Sequence, residues 1–380
     1  MKISIIAIFL LICCQVKAQS KYNGSFTISG DVSKVCKTGL MTMAYANANG
    51  KPKRDTVKIE NGKFKLSGEV SEPVVAILKI KLPQATVGPA LYDPKNMYRI
   101  LLEPIDYKLS TTGESLNTAI VKGSQIQQEY TRYFQSLQKL HYEMRPYNMQ
   151  AQAFEKQMDV SNFINVRKKL DSLDEMERAM VDSYVSANPH SPVSLFAVDD
   201  YNRPIMSPKP FKSFFDKLDP ELKKTSIGRK LAKDIEEREY FLPDSQSVDF
   251  TQPDTSGKLV SLSEFKGKYV LLDFWASWCG PCRAQSVFMK KAYIHFKDKN
   301  FTIIGVSCDD NREKWIEAIR EDGVGIWTQL GDMTGKKNIV SDIYKVRSYP
   351  QNLLIDPTGK IIAKNLGGLL LEMKLKEVLH

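Results

Sequence analysis

The chain has 380 residues, 42% of them hydrophobic and 26% charged, with a formal net charge of +10. That length leaves room for two or three domains, and that composition supplies real apolar cores, which excludes a small fold that depends on cysteines to hold together. The lysines and arginines are scattered among acids, with no basic stripe carrying interleaved aromatics, so the charge describes a solvated surface and nucleic acid is set aside as a partner.

Residues 1–18 differ from the rest. Lys2 gives a positive start, Ile3 to Cys14 form an apolar run, and Val16-Lys17-Ala18 offers a small-residue cleavage pattern before Gln19. This order is that of a secretory signal peptide, and the run is too short to span a bilayer as a helix. The expectation is an exported chain cleaved after Ala18. Lipid anchoring at Cys13 or Cys14 is the weaker reading, because Ile12 and Cys13 precede them where a small residue is usual. Cleavage removes Lys2 and Lys17, taking the net charge from +10 to +8, and leaves Cys36, Cys279, Cys282 and Cys308.

Residues 19–123 read as a β-rich domain. FTISGDV, LMTMAYA, RDTVKIE, FKLSGEV, VVAILKI and YRILLE are short runs rich in β-branched and aromatic residues. Turn material separates them, including Asn49-Gly50 and the hairpin signal Asn61-Gly62. A small antiparallel sandwich or barrel is expected.

Residues 124–243 read as a helical segment. Ile126, Tyr130, Tyr133, Phe134, Leu137, Leu140 and Met144 recur at three- and four-residue steps, and Pro146 interrupts the pattern. A second helix carries Phe163, Val166, Leu170, Leu173, Met176 and Met180 on one face and stops near Asn188-Pro189. Two shorter helices are expected over 208–240. Such stripes are packing faces.

Residues 244–380 alternate strands and helices: strand, helix, strand, helix, strand, strand, helix. YVLLDFW is a buried strand, a helix covers 280–297, FTIIGVSC and REKWIEAIRE follow, and NLLID and KIIAK flank a turn before LLLEMKLKEVL. This pattern implies a central sheet covered on both faces. The fold class expected is therefore multidomain: an antiparallel β domain, a helical middle and a C-terminal α/β domain.

Between the strand YVLLDFW and its helix stands FWASWCGPCRAQ, with Cys279 and Cys282 two residues apart. A zinc site needs four ligands, and there is no second CxxC; His141, His190, His295 and His380 are isolated, so no metal is expected. Haem attachment needs a histidine where Arg283 stands. A disulfide across two residues closes so short a loop that it is a poor staple. A redox couple explains the surroundings. Cys279 falls where a helix begins, so unpaired backbone N–H groups and the positive end of the helix dipole favour its thiolate, as in pairs with pKa values near about 7. Cys282, one turn in, is expected to be more buried and to resolve the mixed disulfide. Pro281 is tolerated in the first turn, where its missing N–H is not needed.

DFWASWCGPC, at 273–282, resembles the active site of the thioredoxin superfamily. Residues 249–379 are similar to the TlpA/ResA-like exported thiol-disulfide oxidoreductases, through SLSEFKGKYVLLDFWASWCGPCR, IIGVSCD and VRSYPQNLLIDPTGKII in order. The resemblance implies a thioredoxin fold and a periplasmic enzyme without cofactor. It implies that Cys279 attacks, Cys282 resolves, and Asp273 helps take the Cys282 proton. It further implies that Pro350 is the cis-proline facing the pair, that Tyr349 presents backbone to the substrate, that Trp278 shields the site, and that Gly280-Pro281 is the dipeptide between the cysteines. The partners implied are disulfide-containing exported proteins and a membrane thiol-electron donor. Val287 stands where the family often has a helix-kinking proline. Cys308 reads as a small buried hydrophobe and Cys36 as a free thiol. NGKFKLSGEV, ILLEPIDY and VKGSQIQQEY resemble an uncharacterised β-rich domain of exported Bacteroidetes proteins, and ANPHSPVSLFAV their helical middle segment; neither implies an activity.

The main functional expectation is a periplasmic oxidoreductase that reduces protein disulfides. Two alternatives stay open: a thiol peroxidase of peroxiredoxin type, and a partner-binding envelope protein with an accessory redox domain. Homodimerisation also stays open.

Overall fold

The computed structural model describes residues 22–47, 51–82, 94–202, 208–239, 241, 243–346 and 348–379. The signal-peptide segment and the Asn49-Gly50 turn lie outside them. The chain falls into two compact units, one up to Gln135 and one from Ser136 onward.

The first unit is a β-sandwich. Its strands are β1 (Gly24–Asp31), β2 (Gly39–Ala46), β3 (Pro52–Ile59), β4 (Lys63–Val70), β5 (Val74–Lys81), β6 (Met97–Leu102), β7 (Asp106–Thr111) and β8 (Ala119–Lys122). They form two four-stranded sheets, ordered β4-β1-β7-β8 and β3-β2-β5-β6. All pairings are antiparallel except β1 with β7, which run parallel. One core draws on both sheets: Phe26, Ile28, Leu66 and Tyr107 from the first, Met41, Met43, Leu78 and Ile100 from the second. Alternation puts these residues on one face of each strand. The Asn61-Gly62 turn forms as expected, with both residues at positive φ and Glu60 and Lys63 exchanging backbone bonds of 2.9 Å. The strands it joins then diverge into different sheets.

The helical segment starts with α1 (Gln125–Gln157), whose N-terminal end belongs to the first unit. There Gln127 is buried and its Oε1 accepts the Leu101 N–H at 2.6 Å. Contrary to expectation, α1 runs straight through Pro146. The carbonyl that loses its partner is that of Tyr142, an exposed residue, so water can satisfy it.

In the second unit α2 (Val160–Ala187) packs back on α1 through Leu140, Met144, Leu170 and Leu173. Then come α3 (Pro192–Tyr201), α4 (Pro208–Lys217), α5 (Pro220–Lys223) and α6 (Ser226–Glu239). Asp159, Ser191 and Asp219 cap α2, α3 and α5 with their side chains.

The C-terminal domain is a thioredoxin-like α/β fold. A short hairpin of β9 (Thr251–Pro253) and β10 (Leu259–Ser261) precedes β11 (Tyr269–Trp275), α7 (Gly280–Phe296), β12 (Phe301–Ser307), α8 (Arg312–Asp322), β13 (Thr328–Gly331), α9 (Ile339–Ile343), β14 (Gln351–Ile355), β15 (Ile361–Lys364) and α10 (Leu369–Val378). The sheet order is β13-β12-β11-β14-β15, with β11, β12 and β13 parallel and β14 and β15 antiparallel. Central strand β11 is buried on both faces. Leu271 and Trp275 join Met289, Phe296, Trp315 and Leu375 from α7, α8 and α10 on one face. Val270, Leu272 and Phe274 join Phe250, Val340 and Tyr344 on the other. Among the described residues no helix is long and apolar enough to cross a membrane.

Candidate active site

The site lies at the C-terminal end of β11, where a buried strand gives way to α7. Cys279 is the N-cap of α7, and Pro281 sits in its first turn. The Cys279 Sγ accepts the Cys282 N–H at 3.2 Å, so the sulfur does what a capping serine oxygen does elsewhere. The two cysteines form a disulfide with Cα atoms 5.3 Å apart. The greater burial expected of Cys282 is slight in this oxidised form, the two cysteines being 5% and 3% exposed. Joined sulfurs cover each other, so what separates the pair is position, one at the helix cap and one inside the first turn. A Cβ added at Gly280 would meet nothing within 4 Å.

A carboxylate holds the approach to Cys279. Asp309, buried just past β12, accepts the Ser277 N–H at 3.1 and 3.0 Å, the Ser277 hydroxyl at 2.6 Å and the Ser307 hydroxyl at 2.8 Å. The loop that leads into the pair is thereby tied to the neighbouring strand. Further along α7, Arg283 binds Asp322 through two nitrogens at 3.0 and 2.8 Å and Glu321 at 2.7 Å, which locks α7 to the end of α8. These acids hold the guanidinium above its usual range. Sequence reading missed both anchors. Asp309 was visible at the end of IIGVSCD, but nothing local names a partner 32 residues away.

Asp273 lies on the β11 face that carries Leu271 and Trp275, the face of the cysteine pair. It is buried, its Oδ1 has no hydrogen-bond partner, and burial pushes its pKa up to about 7. Trp278 is 58% exposed, and its ring meets that of Tyr349 edge-on at 5.8 Å. The Tyr349–Pro350 peptide bond is cis. Beside it opens a cleft of about 320 Å³ lined by Gln285, Ser348, Tyr349, Pro350, Asn352 and Asn365 among others. Its amide residues carry no pattern that sequence reading could have picked out. Cys308 is buried with its Sγ 3.0 Å from the Ser341 hydroxyl, and burial pushes its thiol pKa up. Cys36, in the first unit, is half-buried and unbridged, and burial raises its pKa too.

The C-terminal domain has known relatives. A family model described as the AhpC/TSA family matches residues 243–364. The thiol-disulfide oxidoreductase ResA of Bacillus subtilis (strain 168) is 33% identical over 125 residues, which are 33% of this chain and 68% of that protein. The chain belongs to the ResA-like thiol-disulfide oxidoreductases. The thioredoxin-like protein YneN of the same organism is 36% identical over 117 residues, 30% of this chain and 66% of that protein. A solved thioredoxin domain of a thiol-disulfide oxidoreductase from Bacteroides vulgatus is 40% identical and covers 37% of this chain and 99% of its own, with a TM-score of 0.35. Residues 26–130 match a model described as a domain of unknown function (DUF4369), so the ResA-like unit follows a front portion with no assigned activity.

Proposed function

We propose that this thiol-disulfide oxidoreductase reduces disulfides of exported proteins through Cys279 and Cys282. The observation that carries the reading is the position of Cys279 as the cap of α7, where the Cys282 N–H points at its sulfur. A thiolate there is stabilised by that bond and by the helix dipole. In the reducing direction the Cys279 thiolate attacks a substrate disulfide, forming a mixed disulfide and expelling one substrate thiolate. Cys282 then loses its proton, with Asp273 as the acceptor, and attacks the Cys279 sulfur. The internal disulfide forms, the second substrate thiolate leaves, and two electrons have passed to the substrate. An external thiol donor, in the envelope a membrane thiol transporter, reopens the pair. Tyr349 and Pro350 offer backbone to the substrate chain, and Trp278 shields the mixed disulfide.

The charged, apolar, small-residue order of residues 1–18 supports a periplasmic location, with a mature N-terminus at Gln19. Intact mass of protein from its native envelope checks this; a diacylglycerol on Cys13 or Cys14 would overturn it. The 19–123 and 124–243 segments are proposed to set what the redox domain at 244–380 meets, by dimerising or by docking a partner. Full activity toward native partners by the redox domain alone would count against that.

Insulin reduction with dithiothreitol, run beside a peroxide-consumption assay, tests the main reading. Catalysed insulin reduction without peroxide turnover is the expected result. Peroxide turnover would favour the peroxiredoxin type, a chemistry of a lone cysteine after a threonine, and inactivity in both assays would favour a binding protein.

A further inference from the structure

Helix α10 begins without a cap of its own. Its N-cap is Gly368, which has no side chain to offer. The carboxylate of Glu155, near the C-terminal end of α1, fills the place: its Oε1 accepts the Leu369 N–H at 3.3 Å across 214 residues of sequence. Gly368 has φ +54°, and a Cβ there would stand 1.6 Å from that same oxygen. Only glycine lets the carboxylate in.

The segment that Glu155 pins runs back to the cleft beside the Tyr349–Pro350 bond, where Asn365 forms part of the lining. Asn365 N donates to the Asn352 carbonyl at 2.8 Å. The Asn352 side chain holds Leu366 at both ends, donating to its carbonyl at 2.9 Å and accepting its N–H at 2.8 Å. A Cβ at Gly367 would come within 2.9 Å of the Gln285 Nε2, on the turn of α7 after Cys282. Asn365, Asn352 and Gln285 line the cleft together with Tyr349 and Pro350.

We infer that Glu155 is a positioning residue: by capping α10 it fixes the 365–368 segment and so the place of Asn365 in the cleft lining, and the helical segment thereby helps to set how the redox site holds a protein disulfide. The inference rests on the oxidoreductase reading above. It assigns Glu155 no contact with reacting atoms. A small disulfide that needs only the sulfurs is indifferent to that lining, whereas a peptide laid along Tyr349 and Pro350 is not.

The test uses the full chain with Glu155→Ala, Glu155→Gln and Gly368→Ala, each assayed with a disulfide-bonded peptide and with a small aromatic disulfide. Glu155→Ala is expected to raise KM for the peptide about three- to tenfold with kcat and the small-disulfide rate unchanged. Glu155→Gln, which keeps the acceptor oxygen, restores most of the KM. Gly368→Ala, which evicts the carboxylate, repeats the alanine phenotype. An unchanged peptide KM in Glu155→Ala would overturn the inference, and so would an equal loss toward both substrates, since that is general destabilisation. A wild-type chain inert to both disulfides would instead sink the oxidoreductase reading, and this inference with it.

Discussion

Asp273 and Asn352 stand directly opposite each other on β11 and β14, yet the Asn352 amide is committed to Leu366 at both ends and the Asp273 Oδ1 is left without a partner. Burial strips water from this carboxyl and disfavours its charged form, which is why its pKa rises to about 7 from 3.8. Between about pH 4 and 7 the folded chain therefore binds a proton that the unfolded chain has released. This residue's contribution to stability is full below about pH 4 and is lost as pH rises to about 7, a change on the order of 4 kcal/mol. Asp273→Asn is expected to stabilise the oxidised protein at pH 8 and to leave it unchanged near pH 3.5. Denaturant unfolding at both values checks this. The same substitution should slow resolution of a mixed disulfide and remove an inflection near pH 7 from its rate; a profile identical to wild type would leave Asp273 without a part in proton transfer.

The two cysteines should behave differently when replaced. Cys279→Ser is expected to abolish turnover, while Cys282→Ser keeps the attacking thiolate and accumulates mixed disulfides. Non-reducing electrophoresis after exposure to envelope extract shows which happens. Trapping by Cys279→Ser would reverse the roles.

Asp309→Ala removes the acceptor of three hydrogen-bonding groups on Ser277 and Ser307. Leaving the part-buried Ser277 groups and the buried Ser307 hydroxyl without this acceptor should cost about 2–4 kcal/mol of stability. The loop before Cys279 also loses its anchor, so thiolate reactivity should fall even where the chain is folded. Melting curves and the rate of reaction with a small disulfide separate the two effects. A stability change under about 0.5 kcal/mol would show that water replaces the carboxylate.

How much of this was legible in the sequence depends on where the constraint lies. β11 and the start of α7 were readable because each residue there obeys a local rule: seven residues of continuous apolar strand apart from Asp273, then a cysteine cap and a first-turn proline. β7 was not, because only Tyr107 and Leu109 of Asp106–Thr111 are apolar and the signal is too thin. β13 has four residues, among them a buried Gln329 whose Oε1 accepts the Trp275 Nε1–H at 3.0 Å. Its place in the sheet rests on pairing with β12 and on that distant side-chain partner, neither of which four residues announce. The cleft is a meeting of amides from three stretches of chain, and no periodicity announces such a meeting.

The helical segment departs from its reading in two places: three helices, α4, α5 and α6, fill the stretch where two were expected, and α1 does not stop at Pro146. The chain stays helical through it, so the proline forfeits a backbone bond without ending α1. Pro146→Ala is expected to stabilise the chain by about 1–2 kcal/mol with unchanged function. Urea unfolding followed by helical circular dichroism measures it. Destabilisation would mean that the proline ring packs in a way the backbone argument overlooks.

The direction of electron flow follows from the dipeptide between the cysteines. Gly280 and Pro281 bring no histidine to stabilise the Cys279 thiolate further, so the disulfide stays comparatively stable and the reduced form donates readily. The potential should lie nearer about −270 mV than about −120 mV. Equilibration in glutathione or dithiothreitol buffers gives the number, and a value above about −150 mV would mean that the protein makes disulfides.

The empty space around Gly280 bears on how such an enzyme can change its trade. With nothing within 4 Å of an added Cβ, that position is a tuning dial exposed at the surface, not a packing constraint. A larger or charged residue could be written there without disturbing the scaffold. A lineage, or a protein engineer, could then shift the potential of the pair by one substitution at a time, while Asp309, Arg283 and the buried sheet hold the cysteines in place.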